Sequence, residues 1–325
     1  MIPNMSLQQV LKVLTVRNKF VIASHARPDG DSIGSQLALA FALKHVGKEV
    51  LVVNRDPVPT YLQTFPGISD IKVVKNIVGS FDAAVVLECG SLARTEISGL
   101  EQHFVINIDH HVNNTMYGEI NWHDESAAAC GEMVFDVVKG LSVPLSKTIA
   151  THIYLAILTD TGSFHYSNVT PRTFEICHQI ASVGVSPTAL ASQVYRQSSI
   201  GKLNLTGTLL KNMELVSNSR VAILYVDDQI LSETRCAPDD MEGLINLPLT
   251  AKDVQAVVLF KKAADKHFRV SLRSKGNVDV RSVAANHGGG GHHNAAGCLL
   301  SMPIDQARTK IVSEIVEAIE VADES

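Results

Sequence analysis

The 325-residue chain has no Cys-x-x-Cys pair, no excess of positive charge, no apolar run of membrane-spanning length and no internal repeat. Each absence excludes something. The five cysteines, Cys89, Cys130, Cys177, Cys236 and Cys298, are scattered and odd in number, which argues against a thiolate metal site and for reduced thiols. A net charge of −5 excludes a general nucleic-acid binder held by a global positive field. It leaves room for a short anionic ligand gripped by a few local cations. No stretch reaches the roughly 20 apolar residues that a spanning helix needs. The opening MIPNMSLQQVLKVL has neither a basic n-region nor a long apolar core, so no signal peptide is expected and the chain reads as cytoplasmic.

What is present is an ordinary globular composition, 46% hydrophobic and 19% charged, in a chain long enough for two domains of roughly 100–200 residues each. Short runs rich in Val and Ile at 20–24, 49–54, 83–88 and 104–109 alternate with helical patterns, most clearly 35–46. The first, third and fourth runs are apolar nearly throughout, as strands buried on both faces of a parallel sheet are. This βαβ alternation predicts a doubly wound, mostly parallel α/β domain over 1–187. Beyond Ser126 the pattern turns helical, with apolar residues at helical spacing over 147–158 and Pro171 placed after Thr170 as a first-turn proline. The more polar stretch 188–219 is expected to be a helical linker to a smaller α+β domain over 220–325. There VAILYV, VQAVVLF and FRVSLRS read as strands of a mixed sheet, 261–267 as a hairpin connection and 305–320 as a closing helix.

The stretch SHARPDGDSIGSQ, residues 24–36, raises the question of function. Pro28-Asp29-Gly30 is turn chemistry, and Asp31 or Ser32 is suited to cap the following helix. Capping does not explain why a strand ends in His25 with carboxylates four and six residues later. In open α/β sheets, ligands bind outside the carboxyl ends of the strands. That edge collects His25, Asp29 and Asp31 after the first strand, Glu88 at the end of the third, and Asp109-His110-His111 at the end of the fourth. Asp160 joins them from the end of the helix over 148–158. Each alone has an ordinary explanation: a turn cap, a helix exit, a core histidine. Together the carboxylates would repel one another and shift their pKa values unless cations neutralised them. Two divalent ions are the simplest remedy. Imidazole and carboxylate without thiolate suit Mn²⁺, with Mg²⁺ or Co²⁺ as alternatives. Two ions about 3.5–4 Å apart activate water for in-line phosphoryl displacement.

The second domain carries four glycines at 288–291 followed by His292. Gly289, Gly290 and Gly291 would let backbone N–H groups approach an anion, although a flexible loop has the same composition. Arg273 and Arg281 are candidates for a phosphate or a base, and Arg281 also reads as a solvated helix-start residue. Arg94 and His165 are further candidates for lining the site, and His287 and His293 flank the glycine run. Trp122 and His123 read as structural.

The combination of HARPDGDSIGS, VVLEC, IDHH, TDTG and GGGGHHNAAG, in this order over residues 19–300, resembles the DHH phosphoesterase superfamily. Within it the chain is similar to the two-domain nanoRNase/pAp-phosphatase group, related to the RecJ exonuclease core. The resemblance implies that His25, Asp29 and the residue at position 88 hold one ion, while Asp31, the same position 88, His110 and Asp160 hold the other. It implies that His111 lies beside the substrate phosphate and that Asp109 orients His110. The second domain would grip the nucleotide, through Arg273 and His292 above all. Glu88 departs from the pattern, since the family usually has aspartate there and the extra methylene changes the reach. The implied activity is hydrolysis of short oligoribonucleotides, of linear dinucleotides such as pApA or pGpG, and of pAp. Long nucleic acid and membranes are not expected partners, and a homodimer is left open. Two other readings stay in view: a pyrophosphate or polyphosphate hydrolase, and a nucleotide-binding regulator whose catalysis has lapsed through Glu88.

Overall fold

Strands and helices alternate through the first half of the chain, and the order in which the strands pair sets the position of everything functional. The computed structural model describes residues 5–196, 198–236, 241, 243–264 and 266–324, with the side chain of His292 outside the described atoms. The chain divides into two units, residues 1–197 and 198–325.

The first unit runs α1 (Met5–Val16), β1 (Lys19–Ala23), α2 (Gly30–His45), β2 (Glu49–Asn54), β3 (Lys72–Val73), β4 (Ala83–Leu87), β5 (Val105–Asp109), β6 (Ile120–His123), α3 (Cys130–Gly140), α4 (Lys147–Asp160), α5 (Pro171–Ser182) and α6 (Pro187–Tyr195). Its sheet has the order β3-β2-β1-β4-β5-β6, and every neighbouring pair is parallel. The order reverses between β1 and β4, so the crevice at their carboxyl ends is the switch point where doubly wound folds place ligands. The residues that follow those two ends are His25 and Glu88.

Central strands β4 and β5 are buried at every position, which explains the continuous apolar run of β4 and the nearly apolar one of β5, broken by Asn107 and Asp109. Phe20 and Ile22 of β1 point into the core shared with α2, α3 and α4, whereas Val21 and Ala23 point to the other face. Helix α2 is buried along nearly its whole length. At Gly34 a Cβ would stand 2.5 Å from the His152 carbonyl oxygen and 2.9 Å from the Ala156 nitrogen, so only glycine lets α2 lie this close to α4. Two details differ from expectation. Helix α2 starts at Gly30, not at residue 35, because Asp29 and not Asp31 or Ser32 is the cap, accepting from the Ser32 amide. Strand β6 also joins the sheet edge, with Trp122 opposite Ile108.

The second unit contains α7 (Ile200–Lys211), β7 (Glu214–Val216), β8 (Val221–Val226), α8 (Asp228–Thr234), β9 (Ala256–Ala264), β10 (His267–Ser274), α9 (Val280–Ala285), β11 (Gly290–His292), β12 (Ala295–Ser301) and α10 (Ile304–Asp323). The sheet order is β11-β12-β10-β9-β8-β7. Only the β8–β9 pair is parallel, so the sheet is mixed. Helix α10 buries Ala307, Ile311, Ile315 and Ile319, a stripe at four-residue spacing, against Phe260, Val270 and Leu272 of the sheet. Residues 188–219 are shared out: α6 lies wholly in the first unit, α7 and β7 in the second, and β7 pairs with β8. Among the described residues no helix is long and apolar enough to cross a membrane, and no disulfide joins the cysteines.

Candidate metal centre

Three strand ends and two helix ends of the first unit supply the donors. Asp31 sits in the first turn of α2, only 1% exposed. Helix α3 begins at Cys130 with Ala129 as its cap, a residue with no side-chain acceptor for the free amides of the first turn. Asp31 takes that role from a distance of 99 residues in sequence: Oδ2 accepts from the Cys130 amide at 2.7 Å and Oδ1 from the Gly131 amide at 3.1 Å. The Ser35 hydroxyl adds a third bond at 2.7 Å, so the carboxylate is aimed before any ion arrives. Burial nevertheless pushes its pKa up.

His110 follows β5. Its Nδ1 is 3.0 Å from the Ala127 carbonyl, which fixes Nδ1–H as the donor and turns Nε2 toward the acids. From Nε2, Glu88 Oε2 is 3.2 Å away, Asp160 Oδ2 3.5 Å and Asp31 Oδ2 3.8 Å. Burial opposes protonation of His110, but the bond to Glu88 and the charges of Glu88, Asp31 and Asp160 outweigh it and raise the pKa to about 11. Asp160, in the last turn of α4, is raised to about 7 by burial and by Asp31. Glu88 is pushed well above the carboxylate range by burial, with the Asp31 charge adding to it. Its Oε2 is buried and has no well-formed hydrogen bond.

Within 4.8 Å of one another lie the donor atoms of Asp31, Glu88, His110 and Asp160, and likewise those of Glu88, His110 and His111. His25 and Asp29 stand apart as a pair, with Nε2 and Oδ2 separated by 3.7 Å. His25 Nδ1 bonds its neighbour's carbonyl, that of Ala26, at 2.8 Å, and its Nε2 meets the Ser32 hydroxyl at 2.8 Å. Desolvation works against charge on both. The contact with Asp29 still raises His25, and His25 with the Ser32 amide holds Asp29 at about 2. The set His25, Asp29 and Glu88 does not form a third group at that distance among the described residues. A hard divalent cation fits the four-donor group: three carboxylates and one correctly presented imidazole converge, one carboxylate oxygen lacks a donor, and burial raises the pKa of all three carboxyls, a cost that a bound cation would offset.

Asp109 departs from its expected role. It bonds His111, not His110: Asp109 Oδ1 lies 2.7 Å from His111 Nδ1. The strand geometry explains this, since the backbone leaves β5 after Asp109 and the ring of His110 is directed to Ala127. His111 is about one-third exposed, and its Nε2 is 3.4 Å from Glu88 Oε1. The other Asp109 oxygen accepts from Asn114 Nδ2 at 2.5 Å, and Asn114 is tied in turn to Asn107 at 2.8 Å. Asn107 also donates to Asn121 at 3.0 Å. This asparagine network was not legible beforehand. The one available signal was three asparagines, one on each of two paired strands and one in the loop between them.

Other candidates distribute as follows. Arg94 has an exposed side chain, but its carbonyl accepts from Ala26 at 2.7 Å and so braces the turn after His25. His165 is exposed, with Nδ1 folded onto the Gly162 and Ser163 carbonyls, each at 3.0 Å. Arg273 projects from β10 and donates to the Leu272 carbonyl at 2.9 Å. Arg281 is solvated near the start of α9, 3.8 Å from the cap residue Asp279. The glycine run serves close packing. A Cβ at Gly289 would meet the Gly297 oxygen at 2.2 Å, and Gly291 lies against Ala295 and Ala296 with φ of 147°. The Gly289 amide is donated to Ala284 and that of Gly288 to Ala285, so neither is free to cradle an anion. Gly290 pairs with Gly297 in the edge strand. The His292 side chain lies outside the described atoms.

With this geometry in view, residues 19–157 match the DHH family, N-terminal domain, and residues 218–321 match the DHHA1 domain. The chain belongs to the DHH family. The bifunctional oligoribonuclease and PAP phosphatase NrnA of Thermus thermophilus is 32% identical over 313 residues, covering 96% of this chain and 93% of that protein. The Bacillus subtilis protein of the same description is 25% identical over 300 residues, covering 89% and 91%. A crystal structure of an exopolyphosphatase-related protein from Bacteroides fragilis aligns with a TM-score of 0.87 at 26% identity over 96% of both chains. Exonuclease RecJ bound to manganese shares the fold, with a TM-score of 0.57 at 13% identity over 96% of this chain and 94% of that one. Within the DHH family, the chain falls in the two-domain, NrnA-like subfamily.

Proposed function

We propose that this protein is a metal-dependent phosphohydrolase of short nucleotides: short oligoribonucleotides, linear dinucleotides such as pApA and pGpG, and pAp. The observation that carries the reading is the convergence of Asp31, Glu88, His110 and Asp160 at the switch point of a doubly wound sheet. The descriptions of its NrnA relatives as oligoribonuclease and PAP phosphatase support the substrate class. The four converging residues would hold one divalent ion, and His25 with Asp29, which stand apart as a pair, would hold a second together with Glu88, Mn²⁺ being the best match to the donors. Bound there, such ions polarise phosphoryl oxygens and lower the pKa of water.

The protein's own groups do the rest. Asp31 stays fixed by the α3 amides and Ser35, so the site needs little reorganisation on binding. His111, held at Nδ1 by Asp109, offers Nε2 to the scissile phosphate and its leaving oxygen. Arg94 and His165 in the first unit, and separately Arg273, Arg281, Gly290, Gly291 and His292 in the second, are proposed to meet substrate, whereas the Gly289 amide is already spent on Ala284.

The test is a substrate panel on the purified protein, with pApA, pGpG, pAp, long RNA and polyphosphate, with Mn²⁺ and with chelator. Dinucleotides should be turned over faster than long RNA, and only with metal. Equal rates on dinucleotide and long RNA, faster turnover of polyphosphate, or activity that survives chelation would each overturn the reading.

A further inference from the structure

The segment after Asp160, Thr161-Gly-Ser-Phe-His-Tyr166, does more than leave a helix. Gly162, Ser163 and Phe164 are consecutive left-handed residues, with φ of 53°, 59° and 66°. They wind the chain around the Thr161 carbonyl, which accepts from the His165 and Tyr166 amides at 3.0 and 3.1 Å. Asn168 ties the end of this turn back, donating to the Asp160 carbonyl at 3.1 Å and to that of Ala128 at 2.9 Å. The turn is therefore fixed to the backbone of a candidate metal ligand.

The turn delivers the Tyr166 ring onto Gly162. A Cβ built on Gly162 would stand 2.4 Å from Cζ and 2.6 and 2.7 Å from the two Cε atoms. Such similar distances mean that Gly162 faces the plane of the ring, not its edge. One face of the ring is thus sealed by backbone, yet Tyr166 remains 62% exposed. Two other well-exposed aromatic rings are already engaged. Phe174 stacks on Phe164 at 5.7 Å, and Tyr195 reaches the Leu158 carbonyl with its hydroxyl. Tyr166 alone of the three presents an immobilised, open face. It rests on a residue whose Cα is no more than about 7.6 Å from that of Asp160.

We propose that Tyr166 is a stacking platform for the nucleobase of the nucleotide whose phosphate is held at the metal centre. This rests on the reading of the site as a short-nucleotide phosphohydrolase and adds to it the residue that recognises a base. Stacking of this kind tolerates any base, because every base has a flat π face.

The test compares the intact protein with Tyr166→Ala and Tyr166→Phe on pApA and on an analogue with abasic riboses, melting curves confirming that each variant is folded. Tyr166→Ala should lower kcat/KM for pApA relative to the abasic analogue by about tenfold or more, chiefly through KM, and Tyr166→Phe should restore it. A loss equal on both substrates, or no loss, overturns the platform. If the wild type turns over neither substrate, the phosphohydrolase reading fails by itself. The platform is then read from equilibrium binding of AMP against ribose 5-phosphate. AMP binding about tenfold weaker in Tyr166→Ala supports it, and equal binding overturns it.

Discussion

Asn114→Ala probes how much of the chemistry depends on a residue that touches none of the four converging donors. Asn114 Nδ2 donates to Asp109 Oδ2 at 2.5 Å, and its Oδ1 accepts from Asn107 at 2.8 Å and from the Met116 amide at 2.8 Å. Asp109 is fully buried. Losing a hydrogen bond to a buried charge costs roughly 1.5–3 kcal/mol and each neutral bond about 1 kcal/mol, so a total near 3 kcal/mol is expected after relaxation. For a folding unit of this size that corresponds to a fall in Tm of about 6–12 °C. Burial works to raise the Asp109 pKa, while His111 and Asn114 together hold it low. Without Asn114 the carboxylate is free to turn, and its 2.7 Å bond to His111 Nδ1 loosens. Turnover of a dinucleotide at saturating metal should fall about 10- to 100-fold, within what a positioned acid or base contributes. Calorimetric titration of metal into the variant should give nearly the wild-type affinity. The reasoning fails if Asn114→Ala melts and turns over like the wild type. It fails equally if the loss of rate follows a loss of bound metal, because the effect would then not run through His111.

Three further outcomes follow from the packing and the charges. Asp31→Ala removes a donor and leaves the Cys130 and Gly131 amides without an acceptor, so metal affinity should fall by at least about 100-fold in a titration, together with Tm. Gly34→Ala drives a Cβ into the backbone of α4 and should lower the unfolding free energy from urea titration by about 1–3 kcal/mol or more, whereas Gly207→Ala, in open space on α7, should raise it by up to about 1 kcal/mol. His152 is buried, which depresses its pKa below 6.5, so the unfolded chain takes up a proton before the folded one does. The stability it supports is present above pH 6.5 and is lost as pH falls below that. His152→Gln should therefore show a smaller fall in Tm between pH 7.5 and 5.5 than the wild type, and an equal fall would refute the assignment.

What was legible in the sequence was whatever a strand writes in its own composition. The runs ending at Ala23, Leu87 and Asp109 are apolar nearly throughout because both faces are covered, and the acids and imidazoles at and just beyond their ends stand out by contrast. The edge strand β3 is two exposed residues and carries no such signature. Partnerships made by chain reversal were also hidden. Nothing near Asp31 in sequence announces that it caps α3, and nothing between His111 and Gly118 says that Asn114 folds back on Asp109. The glycine run showed the opposite difficulty. Its composition suits an anion cradle and a tightly packed edge strand equally, and only the approach of Gly289 and Gly291 to β12 distinguishes them.

Glu88 is the residue on which the different readings turn. A longer acid in place of the aspartate usual in the family would be expected to overshoot if its backbone continued the strand. It does not continue it. Strand β4 ends at Leu87, and Glu88 takes a left-handed φ of 53° while its amide still donates to the Ile108 carbonyl at 3.1 Å. Such a conformation costs a non-glycine residue roughly 1–3 kcal/mol and persists only where its surroundings hold it. Here they do: one carboxylate oxygen faces His110 at 3.2 Å and the other faces His111 at 3.4 Å, with the side chain 2% exposed. Glu88 is buried, strained and common to both donor groups, the placement that lets a carboxyl meet positive charge between two imidazoles.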